Sequence, residues 1–228
     1  MLYSNGVPRS RCTDNSDGRD FLKMGQISAI VVAAGLSTRM GTPKQLLPFG
    51  PHTVIEQVVS VLLRCALDEV VVITGHKRHA IEATLAAWAV RPVFNPNYQT
   101  GEVLCSVQCG LSALGPSVSA ALIVLGDQPH LEAGVVRRVL DAYQDVPGRL
   151  VIPSYQMRRG HPILIDRARW PEIVSLGADK TLRHAINAHA GDIRYVVVET
   201  DSVLRDMDTP EEYRRELRRW TTQADPSA

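Results

Sequence analysis

Charge of one sign is what this 228-residue chain most plainly lacks: 25 basic residues stand against 24 acidic ones, a formal net of +1. That balance leaves no global electrostatic argument for nucleic acid or an anionic membrane as partner. Aromatic residues are only 5%, so a base-stacking surface is poorly supplied as well. Any anion recognition must be local. The four cysteines, Cys12, Cys65, Cys105 and Cys109, contain no CxxC pair and do not make a disulfide framework. Cys105 and Cys109 lie one helical turn apart, but no histidine close by in sequence completes a metal site, so they read as small buried hydrophobes. No apolar run approaches the ~20 residues of a membrane span, and nothing resembles a signal peptide. A reducing cytoplasm is the expected location.

What is present is an ordinary globular composition, 45% apolar and 21% charged, in a chain long enough to bury a substantial core. Residues 1–24 mix Ser, Asn, Asp, Gly and Arg without apolar periodicity and read as a disordered tail. Met24, directly before "GQISAIVVAAG", stands as an alternative start. From there short apolar runs alternate with helical patterns. Strands are expected at 27–33, 69–74, 91–95 and 120–126, and helices at 53–65, 77–88, 104–114 and 132–144. Thr53 is the N-cap candidate of the first helix, with Glu56 at capping-box spacing, and Gly110 weakens the third. This order argues for a mostly parallel α/β sheet covered on both faces. The rhythm then changes: strands at 149–155 and 161–167, separated by the short basic turn "QMRRG", suggest a hairpin-like insertion. A helix at 179–190, a strand at 193–199 and a closing helix at 209–220, capped by Thr209 with Pro210 at its first position, complete the pattern. One domain over 25–221 and a frayed tail over 222–228 are expected.

Ligands of open parallel sheets gather at the carboxyl ends of the strands, and "VVAAGLSTRMGTPKQLLPFG" (31–50) sits at such an end. It is neither of two familiar glycine loops. Five residues, none of them glycine, separate Gly35 from Gly41, so GxGxxG fails; Gly41 is followed by Thr42-Pro43-Lys44, so the P-loop fails too. The physical content survives. Two glycines allow close backbone approach, backbone N–H groups make an anion nest, Arg39 offers a forked donor and Lys44 a compact charge. A phosphate site reads better than a solvated surface turn.

Three further stretches carry candidate chemistry. In "LIVLGDQPHL" (122–131) Asp127 ends an apolar strand at the same rim, either as a Mg²⁺ ligand or as a turn aspartate before proline. In "RDMDTPEEY" (205–213) Asp208 is either a helix-cap residue or, with Thr209 supplying the cap, a second metal-binding acid. In "MRRGHPILI" (157–165) His161 either contacts an acceptor substrate or holds the loop together, and Arg158 and Arg159 either bind a phosphate or are solvated. His76 is given no chemical role.

These motifs, with "NPNYQTGEVLCSVQCGL" between them, occur in the order seen in a known family. Over roughly residues 26–215 the chain resembles the molybdenum cofactor cytidylyltransferases and related MobA-like nucleotidyltransferases. The resemblance implies a Rossmann-like, three-layer nucleotidyltransferase fold and transfer of CMP from CTP, with Mg²⁺, to the terminal phosphate of a molybdopterin-type acceptor, releasing pyrophosphate. It implies catalytic roles for Lys44, Arg39 and Asp127. Nucleotide contacts would come from Ala33, Ala34, Gly35, Ser37, Arg39, Gly41, Lys44, Asn95, Gly101 and Ser106, metal contacts from Asp127 and Asp208, and acceptor contacts from Gln128, Arg159, Gly160 and His161. Guanylyl-transferring relatives usually show Ala-Gly-Gly in the first loop and cytidylyl-transferring ones Ala-Ala-Gly; Ala33-Ala34-Gly35 stands here. Val103, Leu104 and Cys105 are bulkier than the small residues common at their place in the family. The implied partners are small molecules and a recipient molybdoenzyme or its maturation protein. GTP, a sugar or polyol phosphate acceptor, and a non-catalytic molybdopterin-binding delivery protein are the alternatives; a dehydrogenase fits the glycine spacing poorly.

Overall fold

Strands that are apolar along their whole length have no polar face to turn to water, so both of their faces must be covered. The computed structural model describes residues 25–100, 103–146 and 148–224, and it meets this requirement with a three-layer α/β fold. The first half runs β1 (Gln26–Val32), a short hairpin of β2 (Pro48–Phe49) and β3 (His52–Thr53), α1 (Val54–Leu62), β4 (Glu69–Thr74), α2 (Arg78–Thr84), β5 (Arg91–Phe94), α3 (Val103–Ala113) and β6 (Val118–Leu125). The second half runs α4 (Ala133–Asp145), β7 (Leu150–Tyr155), β8 (Arg158–Arg159), β9 (Ile163–Asp166), α5 (Trp170–Ser175), α6 (Leu182–Ala188), β10 (Ile193–Val197) and α7 (Pro210–Ala224). Gly101, the N-terminal stretch 1–24 with Cys12, and residues 225–228 lie outside the described residues.

The main sheet has the order β10-β7-β9-β6-β1-β4-β5, with β8 on the side of β7. Period-2 alternation along β1 sorts its side chains between two cores. Ala29 and Val31 join Ile55, Val58 and Leu62 of α1 and Val136 and Val139 of α4 on one face. Ile30 joins Leu104, Val107 and Leu111 of α3, with Trp170 and Ile186, on the other. The Thr53–Glu56 capping box forms as expected: Glu56 N–H donates to Thr53 Oγ1 at 3.4 Å, and Thr53 N–H donates to Glu56 Oε2 at 2.8 Å.

The region expected to be an inserted hairpin is built into the sheet instead. β7 and β9 do pair antiparallel, but β9 also pairs with β6 from Ala120↔Asp166 to Ile123↔Ile163. It therefore lies between two parallel strands, which explains why Ile163, Leu164 and Ile165 are all buried. The tight hairpin is β7–β8, where Gln156 and Met157 both take left-handed φ, 48° and 64°, as a two-residue turn of the primed type requires. α7 runs from Pro210 to Ala224, longer than the helix expected at 209–220. It is held down by the Tyr213 hydroxyl donating to Pro48 O at 2.7 Å and by a small core of Phe49, Val54 and Met207. Among the described residues no helix is long and apolar enough to cross a membrane.

The glycine that weakens α3 on propensity has a packing reason. A Cβ at Gly110 would stand 2.6 Å from Ile30 Cγ2, so α3 lies closest to β1 at that turn. Helix propensity alone favours alanine there by about 1 kcal/mol; overpacking costs typically about 1–3 kcal/mol. Gly110→Ala is expected to lower stability in urea unfolding, and to cost less in an Ile30→Ala background, where the side-chain carbons that the new methyl would meet are gone.

Candidate active site

The site is assembled by short loops leaving the carboxyl ends of β1 and β6. Parallel pairing continues one residue past each strand, through Ala33 N–H to Ile73 O at 3.0 Å and Gly126 N–H to Val32 O at 2.9 Å. A Cβ at Gly126 would meet Val32 O at 2.9 Å and Ala33 Cβ at 3.1 Å. Only glycine lets the two loops come this close, and the approach delivers Asp127 beside the first loop. That loop folds on Ser37, which takes a left-handed φ of 53°. Its carbonyl accepts from Met40 and Gly41 N–H at 3.0 and 3.2 Å, and its hydroxyl oxygen accepts from Lys44 N–H at 3.3 Å. Gly41 supplies a φ of 68°. Lys44 then opens a short 3-10 turn, Lys44–Leu46, behind Pro43.

The Lys44 side chain, 11% exposed, reaches both candidate acids. Its Nζ forms an ion pair with Asp127 Oδ2 and another with Asp208 Oδ1 at 2.6 Å. Arg39, 69% exposed at the mouth, donates from Nη2 to Asp208 Oδ2 at 2.7 Å. Asp208 does not cap α7. The cap is Thr209, whose Oγ1 accepts from Glu212 N–H at 3.3 Å, while Glu212 Oε2 accepts from Asp208 and Thr209 N–H at 2.8 and 2.9 Å. The Asp208 carboxylate is left free to face the cleft. Val32, Gly35, Ser37, Thr38 and Gln45 share the lining of this cleft, whose volume is about 330 Å³.

A second, larger cavity of about 910 Å³ adjoins it, sharing Val103 and Leu125. Leu104, Ile152, Ile163, Leu182 and Ile186 give it apolar surface, and Arg158, Arg159, Arg183, Gly160 and His161 also line it. Arg159 is oriented by neutral groups, donating from Nε to Tyr195 Oη at 2.8 Å and from Nη1 to Asn187 Oδ1 at 2.7 Å. Among the described residues none of these three arginines has a carboxylate partner. Gly160 is required because a Cβ there would lie 2.3 Å from Val203 O.

Residues 29–193 match the family model of the MobA-like NTP transferase domain. The chain belongs to that family. Molybdenum cofactor cytidylyltransferase of Escherichia coli (strain K12) is 26% identical over 199 residues, covering 87% of this chain and 99% of its own. Nicotine blue oxidoreductase of Paenarthrobacter nicotinovorans is 28% identical over 200 residues, covering 84% and 96%. Among solved structures, Rv0371c of Mycobacterium tuberculosis H37Rv superposes with a TM-score of 0.77 at 28% identity, covering 85% of this chain and 98% of that one. A second structure of Rv0371c is a complex with manganese, with a TM-score of 0.73 at 26% identity and the same coverage of both chains.

Of the residues expected at this MobA-like site, Gly35, Ser37, Arg39, Lys44, Asp127 and Asp208 line one cleft together, and Arg159, Gly160 and His161 line the cavity beside it. Others stand elsewhere. Ala33 and Ala34 are buried beneath the loop, and Ala34 packs where a Cβ on Gly75 would meet it at 2.8 Å. Asn95 and Ser106 are buried and bonded to each other, Nδ2 to Oγ at 3.2 Å, tying the end of β5 to α3. Gln128 does not line the acceptor-side cavity. It is 2% exposed and donates from Nε2 to Asp206 Oδ1 at 3.0 Å, because the turn after Asp127 directs it behind the cleft. Cys105 and Cys109 are half-buried, their thiols near Asn95 Oδ1 at 3.6 Å and Phe94 O at 3.7 Å.

Asp206 is the charged residue of the cleft lining that sequence reading missed. The available signal was its spacing: in the extended segment before α7, positions 206 and 208 share one side while Met207, fully buried, takes the other. Asp206 and Asp208 do not titrate alike. Burial opposes the Lys44 charge, but Asp127 and then Asp208 outweigh it and hold the ammonium above its ordinary 10.5. Burial likewise opposes the Asp208 charge and is outweighed by Lys44 and Arg39, so its pKa is lowered. Burial raises Asp206, and the charges of Asp127 and Asp208 add to it despite the Gln128 hydrogen bond. Burial also drives His161 down to about 4 even with Asp127 nearby, so its imidazole is neutral at pH 7.

A divalent oxygen-seeking ion suits this crowding. No group of three or more ligating side chains able to hold a metal exists among the described residues, and Mg²⁺ typically takes one or two carboxylates, with substrate phosphates and water completing its shell. The raised Asp206 pKa has a stability consequence. Folded Asp206 binds its proton more tightly than the unfolded chain does, so its contribution is fully present below 3.8 and is lost as pH rises through the folded value. Asp206→Asn is therefore expected to unfold at a higher temperature than the parent at pH 7. Below pH 3.8 the two melting temperatures are expected to converge, as thermal unfolding across that range will show.

Proposed function

We propose that this protein is a Mg²⁺-dependent cytidylyltransferase that transfers CMP from CTP to the terminal phosphate of molybdenum-loaded molybdopterin. The observation that carries the reading is the junction of the two cavities. A small cleft whose cations are matched by carboxylates opens onto a larger, partly apolar cavity whose arginines have no carboxylate partner among the described residues. The first suits a triphosphate that arrives with its own counter-cation. The second suits a bulky acceptor that brings negative charge. The likeness to the Escherichia coli cytidylyltransferase along nearly its whole length supports the assignment, as does Ala33-Ala34-Gly35 in the first loop.

In this reading an acceptor phosphate oxygen forms a bond to the α-phosphorus of CTP as the bond to the β-phosphate oxygen breaks. Pyrophosphate leaves with that electron pair. The attacking phosphate is already anionic, so no side-chain nucleophile or general base is needed. Lys44 keeps its proton at Nζ through neutral pH and presents a fixed positive charge inside the cleft. Arg39 adds a forked donor at the mouth, and the Ser37–Gly41 turn fixes where the loop N–H groups lie. Asp127 and Asp208 would hold the divalent cation, which when bound neutralises phosphate charge. Val103 and Leu125, common to both cavities, would put apolar surface where donor and acceptor meet.

The similarity to nicotine blue oxidoreductase favours a second reading, a redox activity on the same fold. Pyrophosphate release with CTP, GTP, ATP and UTP, each with and without molybdenum-loaded molybdopterin, separates the two. CTP with acceptor is expected to give the largest rate, and reduction of added nicotine blue at the expense of NAD(P)H, without pyrophosphate release, would replace the transferase by the reductase. Lys44→Ala and Asp127→Ala are each expected to lower turnover by roughly 10²–10³ while remaining folded by circular dichroism. Arg159→Ala is expected to raise the KM for the acceptor and leave the affinity for CTP unchanged.

A further inference from the structure

Among the described residues, the hydrogen bonds and ion pairs of the Asp127 and Asp208 carboxylates go only to Lys44 and Arg39. Neither acid is held by its own loop, so their separation depends on how the two backbone segments are fixed. One segment is the turn after β6; the other is the extended run before α7. Two hydrogen bonds cross between them behind the cleft. Gln128, next to Asp127, donates to Asp206, two residues before Asp208, at 3.0 Å. His130 Nε2 lies 2.7 Å from Arg205 O; a carbonyl can only accept, so Nε2 carries the proton. The Arg205 guanidinium then anchors to α7, donating from Nη1 to Glu216 Oε2 at 2.7 Å.

We infer that Gln128, His130 and Glu216 are positioning residues: a latch across the two segments that sets the spacing of Asp127 and Asp208 for a divalent cation. This rests on the metal role proposed for those two acids. The composition of the latch supports it. Gln128 and Glu216 are 2% and 1% exposed, and burying amide and carboxylate groups gains little stability over apolar side chains of the same shape. A purely structural seam here would be served by leucine or methionine. Hydrogen bonds across the seam fix direction and register, which packing alone does not. Burial and the Arg205 charge hold the His130 pKa near 4, so the imidazole stays a neutral single donor across the physiological range.

The test is Mn²⁺ binding by titration on the full chain, with urea unfolding and the Mg²⁺ dependence of turnover measured alongside. Gln128→Met keeps the volume and removes the donor; His130→Phe removes the donor, and His130→Gln restores one. The first two are expected to weaken Mn²⁺ binding about tenfold or more, the usual scale for residues behind a metal ligand. Half-saturation by Mg²⁺ should rise in step, turnover at saturating Mg²⁺ should change far less, and His130→Gln should regain much of the affinity. Asp127→Ala serves as the reference. If it loses Mn²⁺ affinity while folded Gln128→Met and His130→Phe stay within twofold of the parent, the latch is wrong and the metal site stands. If Asp127→Ala binds Mn²⁺ as the parent does, the metal reading falls and takes the latch with it. Should His130→Phe fail to fold, Gln128→Met decides alone.

Discussion

An ammonium group enclosed between two carboxylates organises the functional half of this molecule. Lys44 is buried enough that desolvation by itself would favour its neutral form. Asp127 and Asp208 reverse that preference, and Asp208 comes from 164 residues further along the chain. Removing either acid would leave a buried cation with half its compensation, and removing the lysine would leave two facing acids, so the charge of each depends on the other two. Much of the local structure serves this contact. Gly126 brings β6 against the first loop, Pro43 and Ser37 turn Lys44 inward, and the Thr209–Glu212 cap frees the Asp208 carboxylate.

The second consequence is an asymmetry of charge. In the smaller cleft every cation has a carboxylate partner, whereas Arg158, Arg159 and Arg183 around the larger cavity have none among the described residues. Unmatched arginines repel one another and remain exposed unless an anion joins them. Under the transferase reading, the nucleotide would displace ion pairs that already exist, and the acceptor would supply charge that is missing. Arg159, held by Tyr195 and Asn187 rather than by an acid, is oriented without being neutralised.

Most strands and helices were legible because their signals are local. β1, β4 and β6 are runs of Val, Ile and Ala bounded by polar turns, and the Thr53–Glu56 box marks the start of α1 within four residues. What escaped depends on distant partners. β9 reads equally well as one arm of a hairpin, and only its pairing with β6 puts it inside the sheet. β2 and β3 are two residues each, too short for any periodicity, and exist because α7 covers them. The same division holds in the site. Lys44 and Asp127 stand in loops that follow apolar strands and were candidates from sequence, whereas Asp206 and the position of Gln128 follow from a contact between segments 78 residues apart.

By itself the sequence determined the alternation of strand and helix, the two loops at the sheet's carboxyl rim, and the residue types able to handle phosphate and a hard cation. These follow from hydrophobic period, turn chemistry and side-chain functional groups, which act over a few residues. Only the tertiary structure decided that Asp208 faces the cleft rather than capping α7, that Gln128 turns away from the acceptor side, and that Arg158, Arg159 and Arg183 have no carboxylate partner among the described residues. Each of those is a choice between partners of comparable local merit, and the choice is made by which backbone segments packing brings within hydrogen-bonding reach.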